Sequence, residues 1–250
     1  MKKNKPLGIK NYGSIPHLLT SKLGKGDHHI HEGQHRICTE KARDKHDVII
    51  VQEKIDGSNV GVAKINGNIV AMTRSGYEAK TSPYEQHHYF DKWVKKRESM
   101  FHKLLRENER IVGEWILQAC GIKYKIPVDR EEDLFIAFDI FDSENNRMIH
   151  NDFVARLYNT SISYPFTFID SVGRNYSIDK CYKEICDVPN HLRHCPIVDG
   201  QLPEGLIYRV ERKGKFDFIA KWVRADFNTG QYLPEISGND TVWNFPPNRI

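Results

Sequence analysis

Two segments of this 250-residue chain each set a pair of strand-like runs around a two-residue turn. NVGVAKI and NIVAMTR alternate apolar and polar residues on either side of Asn66-Gly67. Asn-Gly favours a hairpin because both residues tolerate the positive φ that a tight turn between antiparallel strands requires. EGLIYRVE and FDFIAKWV flank Lys213-Gly214 in the same manner. DVIIVQEK and RIVGEWIL read as further strands, and DLFIAFDIFD is too apolar to face water on either side. Residues 88–107 place Phe90, Val94, Phe101, Leu104 and Leu105 on one helical face. NDFVARLYN and SIDKCYKEIC read as short helices, with Asn151 and Ser177 as candidate N-caps. Neighbouring strand pairs with inserted helices predict an α+β fold on antiparallel sheets and not a doubly wound one. Neither GxGxxG nor GxxxxGK[ST] is present, so no Rossmann or P-loop nucleotide site is expected.

Composition excludes some classes and permits others. No window approaches the ~18 apolar residues of a membrane-spanning helix. The basic start MKKNKPLGIKNYG is followed by no apolar stretch, so no signal peptide and no membrane partner is expected. Five cysteines without a disulfide-framework spacing predict a reducing, cytoplasmic setting. Lys and Arg total 37 against 33 Asp and Glu, a net +4 that permits a basic face for a polyanion without demanding one. Cys181, Cys186, His191, His194 and Cys195 suggest zinc only weakly, because Cys181 and Cys186 fall about 140° apart around a helix. His28, His29, His31 and His35 read as a solvated loop. With no linker in sight, residues 1–250 are expected to form one domain: an extension (1–46), a core (47–226) and an irregular tail (227–250).

Several charged residues interrupt the apolar runs. Lys54 ends DVIIVQEK two residues before Asp56-Gly57. An amine there is either a plain hairpin corner or a nucleophile held still by its strand. A lysine becomes nucleophilic when burial or nearby cations lower its pKa from about 10.4. Arg74, Arg209, Lys221 and Arg224 are candidate cations for this, and for holding phosphates. Glu114 in VGEWIL and Lys221 in IAKWVR sit where a core would prefer apolar residues, so each needs a polar partner. Phe138 in FIAFDIF serves either a core or a base stacked upon it.

KIDGSN, then TRSG, GE, FDI, EGLIYR and KWV, in that order, resemble the nucleotidyl motifs of the covalent nucleotidyltransferases, which include DNA ligases, RNA ligases and capping enzymes. KIDGSN with Asn59, TRSG with Arg74 and FIAFDIF most resemble ATP-dependent RNA ligases of the nick-sealing phage type and their bacterial relatives. Each motif is short; their order across Glu53–Arg224, about two thirds of the chain, is what carries the resemblance. It implies an antiparallel-sheet nucleotidyltransferase domain with an ATP-grasp-like core. It also implies sealing of 5′-phosphate and 3′-hydroxyl RNA ends, as in RNA repair, through AMP linked to Lys54, with ATP and Mg²⁺ or Mn²⁺. By position, Glu53 and Ile55 would lie beside the nucleotide, Glu53 through its backbone, and Phe138 would stack on the adenine. Arg74 and Glu114 would contact the sugar and phosphate, and Asn59 the phosphates or the 3′ end. Glu204 would help hold the metal and Lys221 would contact the α-phosphate. Arg209 and Arg224 are candidate RNA contacts.

Two departures stand out. RNA ligases of this type carry K-x-K in the last motif, whereas here Val223 replaces the second lysine and Arg224 lies one step on, on the opposite strand face. Only 26 residues follow Arg224, too few for an OB domain, so none is expected and the RNA clamp is left to the basic N-terminus, the 75–86 loop, the 88–107 helix or an accessory protein. The competing readings are a minimal ATP-dependent DNA ligase, a capping guanylyltransferase, and a catalytically silent nucleic-acid-binding relative.

Overall fold

The computed structural model describes residues 5–170, 176–190, 193 and 196–250. Among the described residues eight strands are formed: β1 (Asp47–Lys54), β2 (Ser58–Ile65), β3 (Asn68–Thr73), β4 (Arg110–Trp115), β5 (Phe135–Phe141), β6 (Thr167–Asp170), β7 (Gly205–Arg212) and β8 (Lys215–Val223). The α-helices of the same residues are α1 (Glu32–Thr39), α2 (Glu85–Lys96), α3 (Glu98–Leu104), α4 (His150–Leu157), α5 (Ile178–Cys186) and α6 (Pro234–Ser237). The strands make two four-stranded sheets, ordered β6-β1-β7-β8 and β3-β2-β4-β5, with every pairing antiparallel. Both hairpin turns have the expected left-handed residues, Asn66 and Gly67 at φ 49° and 72° and Lys213 and Gly214 at 50° and 71°. No helix among the described residues is long and apolar enough to cross a membrane.

Strand alternation gives each sheet an apolar outer face. In the first sheet Ile49, Val51, Leu206, Tyr208 and Val210 pack with Cys38 of α1 and with Cys181 and Ile185 of α5. In the second, Val60, Val62, Ile111 and Trp115 pack with Phe90, Trp93, Phe101 and Leu104 of α2 and α3. The inner residues of both sheets are left to face a cleft.

Several elements depart from the sequence reading. The helix predicted over 88–107 begins earlier and breaks at Arg97 (φ −114°, ψ 17°), whose guanidinium is held by Glu131 at 3.0 Å and lies over the Trp93 ring. Asn151 is not the cap of α4. Ile149 occupies that position, and the His150 amide donates to Glu211 Oε1 at 2.7 Å, a tertiary substitute for a local cap. Ser177 stands at the N-cap position of α5.

The supposedly irregular ends are built into the body. Residues 16–22 run beside β8, with Lys221 N donating to Pro16 O, Leu18 N to Lys221 O and Lys22 N to Val223 O at 2.8–3.0 Å. This covers an edge strand that would otherwise offer its backbone to another chain. At the other end Phe227 and Phe245 are fully buried, and Ala119 N and Asn244 N bond to Val242 O and Leu117 O.

Candidate active site

Lys54 is the last residue of β1, and only Ile55-Asp56-Gly57 separates it from β2 in the other sheet. The chain therefore crosses between sheets directly after the lysine. Asp56 pins the crossing: its Oδ2 accepts from the amides of Gly121 (2.6 Å) and Ile122 (2.8 Å), and its own amide donates to Tyr124 Oη (2.9 Å). Gly57 is needed for a reason other than ligand access. A Cβ there would meet Trp115 O at 2.8 Å, so the glycine admits the neighbouring strand and not a ligand.

Residues directly opposite one another in a sheet share a face. Lys54 pairs with Gly205, Gln52 with Ile207, and Ile207 with Lys221, which puts Gln52, Lys54 and Lys221 on the inner face of the first sheet. Asn59 pairs with Glu114 on the second. Val112 pairs with Asp139 but Gly113 with Ala137, so Phe138 is the extra residue of a bulge in β5, and Phe138 and its neighbour Asp139 both line the cleft. The resulting cavity, about 140 Å³, is lined by Glu53, Lys54, Ile55, Asn59, Arg74, Glu114, Phe138, Arg209 and Lys221. Nine of the sequence-derived site residues thus converge there. Glu204 joins them through Lys54.

The charges in the cleft are tightly opposed. Lys54 Nζ donates to Glu204 Oε2 at 2.6 Å. Burial pulls the lysine pKa down, but Glu204 and Glu114 together outweigh it, and the amine is held above its ordinary value. The expectation that neighbouring cations would depress this pKa is therefore reversed in the ligand-free protein, because carboxylates and not arginines are the nearest charges. Burial pushes the Glu114 carboxyl up to about 8 against the opposing pull of Lys54. Glu114 Oε2 and Asn59 Oδ1 are buried with no hydrogen-bond partner, which is costly unless a ligand satisfies them. Burial also lowers the Lys221 amine, Asp27 opposing.

Glu53, Arg209 and Arg224 sit differently from their neighbours. The Glu53 side chain points to the outer face and pairs with Arg193, its amide is taken by Phe166 O at 3.0 Å, and burial raises its pKa to about 7. Arg209 was expected to contact RNA. Instead it is 1% exposed and committed to Asp139, Glu211 and the Met148 carbonyl. Arg224 leaves the cleft altogether: it donates to Pro203 O, pairs with Asp226 at 2.7 Å and lies over Phe227. It does not replace the missing second lysine, and Val223 at that position is buried in the main core.

The 1–46 extension contributes residues that no sequence pattern flagged. Tyr12, Gly13 and Ile15 line the cavity. Tyr12 donates to Asp139 Oδ2 at 3.0 Å and meets the Phe138 ring edge-on at 5.2 Å. Asn11 N bonds to Arg74 O, and Arg74 donates to Ser14 Oγ at 3.2 Å, which ties the TRSG arginine to the same segment. Of the cysteine and histidine set weighed for zinc, His191, His194 and Cys195 lie outside the described residues. Among the described residues no group of three acidic, histidine or cysteine side chains is arranged to hold a metal unaided.

The model of the RNA ligase family matches residues 47–223, well over half of the chain. Among solved structures, an archaeal ATP-dependent RNA ligase is similar at 19% identity, over 71% of this chain and 42% of the other, with a TM-score of 0.44. A Naegleria gruberi RNA ligase variant with ATP and Mn is similar at 15% identity, over 72% and 51%, with a TM-score of 0.46. The same ligase with PPi is similar at 16% identity, over 78% and 53%, with a TM-score of 0.44. The chain spans about half the length of the solved structures it matches. No curated protein matches it. By the family match across both sheets and every residue of the cleft from Lys54 to Lys221, this chain belongs to the RNA ligase family.

Proposed function

We propose that this protein joins RNA ends at the expense of ATP, with Lys54 as the nucleophile that carries AMP. The observation behind this reading is the convergence of Lys54, Asn59, Arg74, Glu114, Phe138 and Lys221 on one cleft between the two sheets. Phe138 offers its face to the base. The unpartnered oxygen of Glu114 suits a ribose hydroxyl. Arg74 and Lys221 bring positive charge to the phosphates, and Asn59 an amide for a phosphate or the incoming 3′ end.

A divalent cation fits the residues present. Glu204 already holds a cationic group, the Lys54 ammonium. Magnesium-type ions bind through one or two carboxylates and complete their shell with substrate phosphates and water. Glu204 would hold the ion, which would neutralise phosphate charge. Lys54 must first lose Glu204 and a proton, after which burial acts to keep the amine neutral. Its nitrogen then bonds to the α-phosphorus as the bond to the pyrophosphate oxygen breaks, and pyrophosphate leaves with the electron pair. AMP passes from Lys54 to an RNA 5′-phosphate, and a 3′-hydroxyl displaces it as the ends join. Splitting the displacement in this way replaces one difficult step by easier ones.

The test is incubation with Mg²⁺ and α-labelled ATP or GTP, followed by denaturation. ATP-derived label on the wild type and none on Lys54→Ala supports the reading. Absence of label on the wild type sinks it, and label persisting on Lys54→Ala means another nucleophile. Nicked duplexes with RNA or DNA on the 3′-hydroxyl side then separate RNA from DNA sealing.

A further inference from the structure

Lys221 is backed by a relay of side chains from residues 17–27. Ser21 Oγ accepts from Val223 N at 2.9 Å and lies 2.6 Å from His17 Nδ1. His17 Nε2 lies 2.9 Å from Asp27 Oδ2, which also accepts from Gly24 N at 3.1 Å. With the proton on Nε2, His17 accepts from Ser21 and donates to Asp27, so every group in the relay is satisfied. The remaining Asp27 oxygen, Oδ1, faces Lys221 Nζ at 3.7 Å. The relay thus starts on β8 at residue 223 and returns to it at residue 221. Three backbone bonds hold the same segment against the strand: Lys221 N to Pro16 O, Leu18 N to Lys221 O and Lys22 N to Val223 O.

From this geometry we infer that Asp27 is a positioning residue for Lys221: it fixes the amine from behind, inside the cleft, while leaving its donors for a phosphate. At 3.7 Å the carboxylate is an ion-pair partner and not a close hydrogen-bond acceptor, so the ammonium is oriented without being consumed. His17 is 2% exposed and Asp27 is anchored on its other oxygen, so the carboxylate cannot follow a phosphate into the cleft. The other charges that act on Lys221 are Lys54, Glu204 and Arg74, of which only Glu204 is opposite in sign. Glu204 is occupied by Lys54, so Asp27 is the counter-charge left to Lys221. The chain has a single lysine in its last motif, with Val223 in the core where relatives of this type carry a second, which leaves the orientation of Lys221 to carry more. The inference rests on the proposed role of Lys221 at the α-phosphate and adds the residue that aims it.

Asp27→Asn and Asp27→Glu in the full chain test this with two readouts. The first is lysyl-AMP formation against ATP concentration. Because the amine stays in place but loses its aim, Asp27→Asn lowers the maximal rate about tenfold while the ATP concentration for half-maximal rate moves less than about threefold. Asp27→Glu restores the rate to within about threefold of wild type, which a mere turn-capping role would not produce. The second readout needs no nucleotide: acetylation of Lys221 by acetic anhydride, followed by peptide mass spectrometry. Loss of the carboxylate makes the amine less basic and less confined, so Lys221 in Asp27→Asn acetylates about threefold faster or more. Wild-type behaviour of Asp27→Asn in either readout overturns the inference, as does an Asp27→Glu variant as slow as Asp27→Asn. An unlabelled wild type would instead overturn the proposed function, and the acetylation readout would still decide whether Asp27 holds Lys221.

Discussion

At the scale of single residues, the cleft is organised around the carboxylates of Glu204 and Glu114. Lys54 and Glu204 pair at 2.6 Å, and that pairing keeps the lysine protonated. Glu204→Gln removes the charge that raises the Lys54 pKa, so the pH profile of lysyl-AMP formation at subsaturating ATP, which reports the free enzyme, moves to lower pH even as the rate falls. A profile that stays in place would mean that Lys54 is not the titrating nucleophile. Glu114 makes the opposite kind of prediction. Its folded pKa, about 8, lies above that of an ordinary carboxyl, so the folded state retains a proton the unfolded chain has lost. Stability is therefore present at low pH and declines as pH rises from roughly 4.5 to 8. Glu114→Gln escapes the decline, and in thermal melts of ligand-free protein at pH 9 it is more stable than wild type by about 1–2 kcal/mol. The same variant labels poorly with AMP, the trade expected where a site residue is retained for function.

At the scale of elements, two glycines, one in the β1–β2 crossing and one in β4, let the site form. Gly57 admits Trp115 O beside the β1–β2 crossing, and Gly113 sits at the β5 bulge that turns both Phe138 and Asp139 toward the cleft. A Cβ at Gly113 would meet Ile136 O at 2.5 Å and the Phe135 ring at 2.7 Å. Gly113→Ala forces backbone apart and costs about 1–3 kcal/mol in denaturant unfolding, and it weakens ATP binding because the bulge sets the aim of Phe138. Unchanged stability would show that β4 and β5 part more easily than these contacts allow. The sequence offered GE and FDIF as motifs, but a bulge leaves no period-2 signature, so the partnership of Phe138 with Asp139 was not legible there.

At the scale of the whole molecule, both ends of the chain are structural. Residues 12–27 wall the cleft through Tyr12 and Ile15, cover β8 and carry Asp27 to Lys221. The last twenty lay Phe245 into the main core, where it is 1% exposed. Phe245→Ala is expected to cost about 3–5 kcal/mol in equilibrium unfolding. A loss under about 1 kcal/mol would show the tail to be dispensable to the core. The packing of either end was not legible, because isolated apolar residues such as Tyr12, Phe227 and Phe245 have no periodicity and declare themselves only when another surface receives them.

The sequence by itself determined the antiparallel sheets, through two turn dipeptides that accept positive φ and through strand runs of period two. It also singled out the residues that line the cleft, because charges inside apolar runs are costly unless they have a use. What it left open was direction and distance. Register and the Ile55-Asp56-Gly57 crossing placed Lys54, Glu114 and Lys221 around one cavity. Tertiary packing turned Arg209 into an internal ion-pair partner, sent Arg224 out of the cleft, and brought Asp27 from far along the chain to the one lysine of the last motif. The physical reason is that alternation and turn chemistry are local, whereas the sign and strength of a charge's environment are set by whichever distant groups the fold buries beside it.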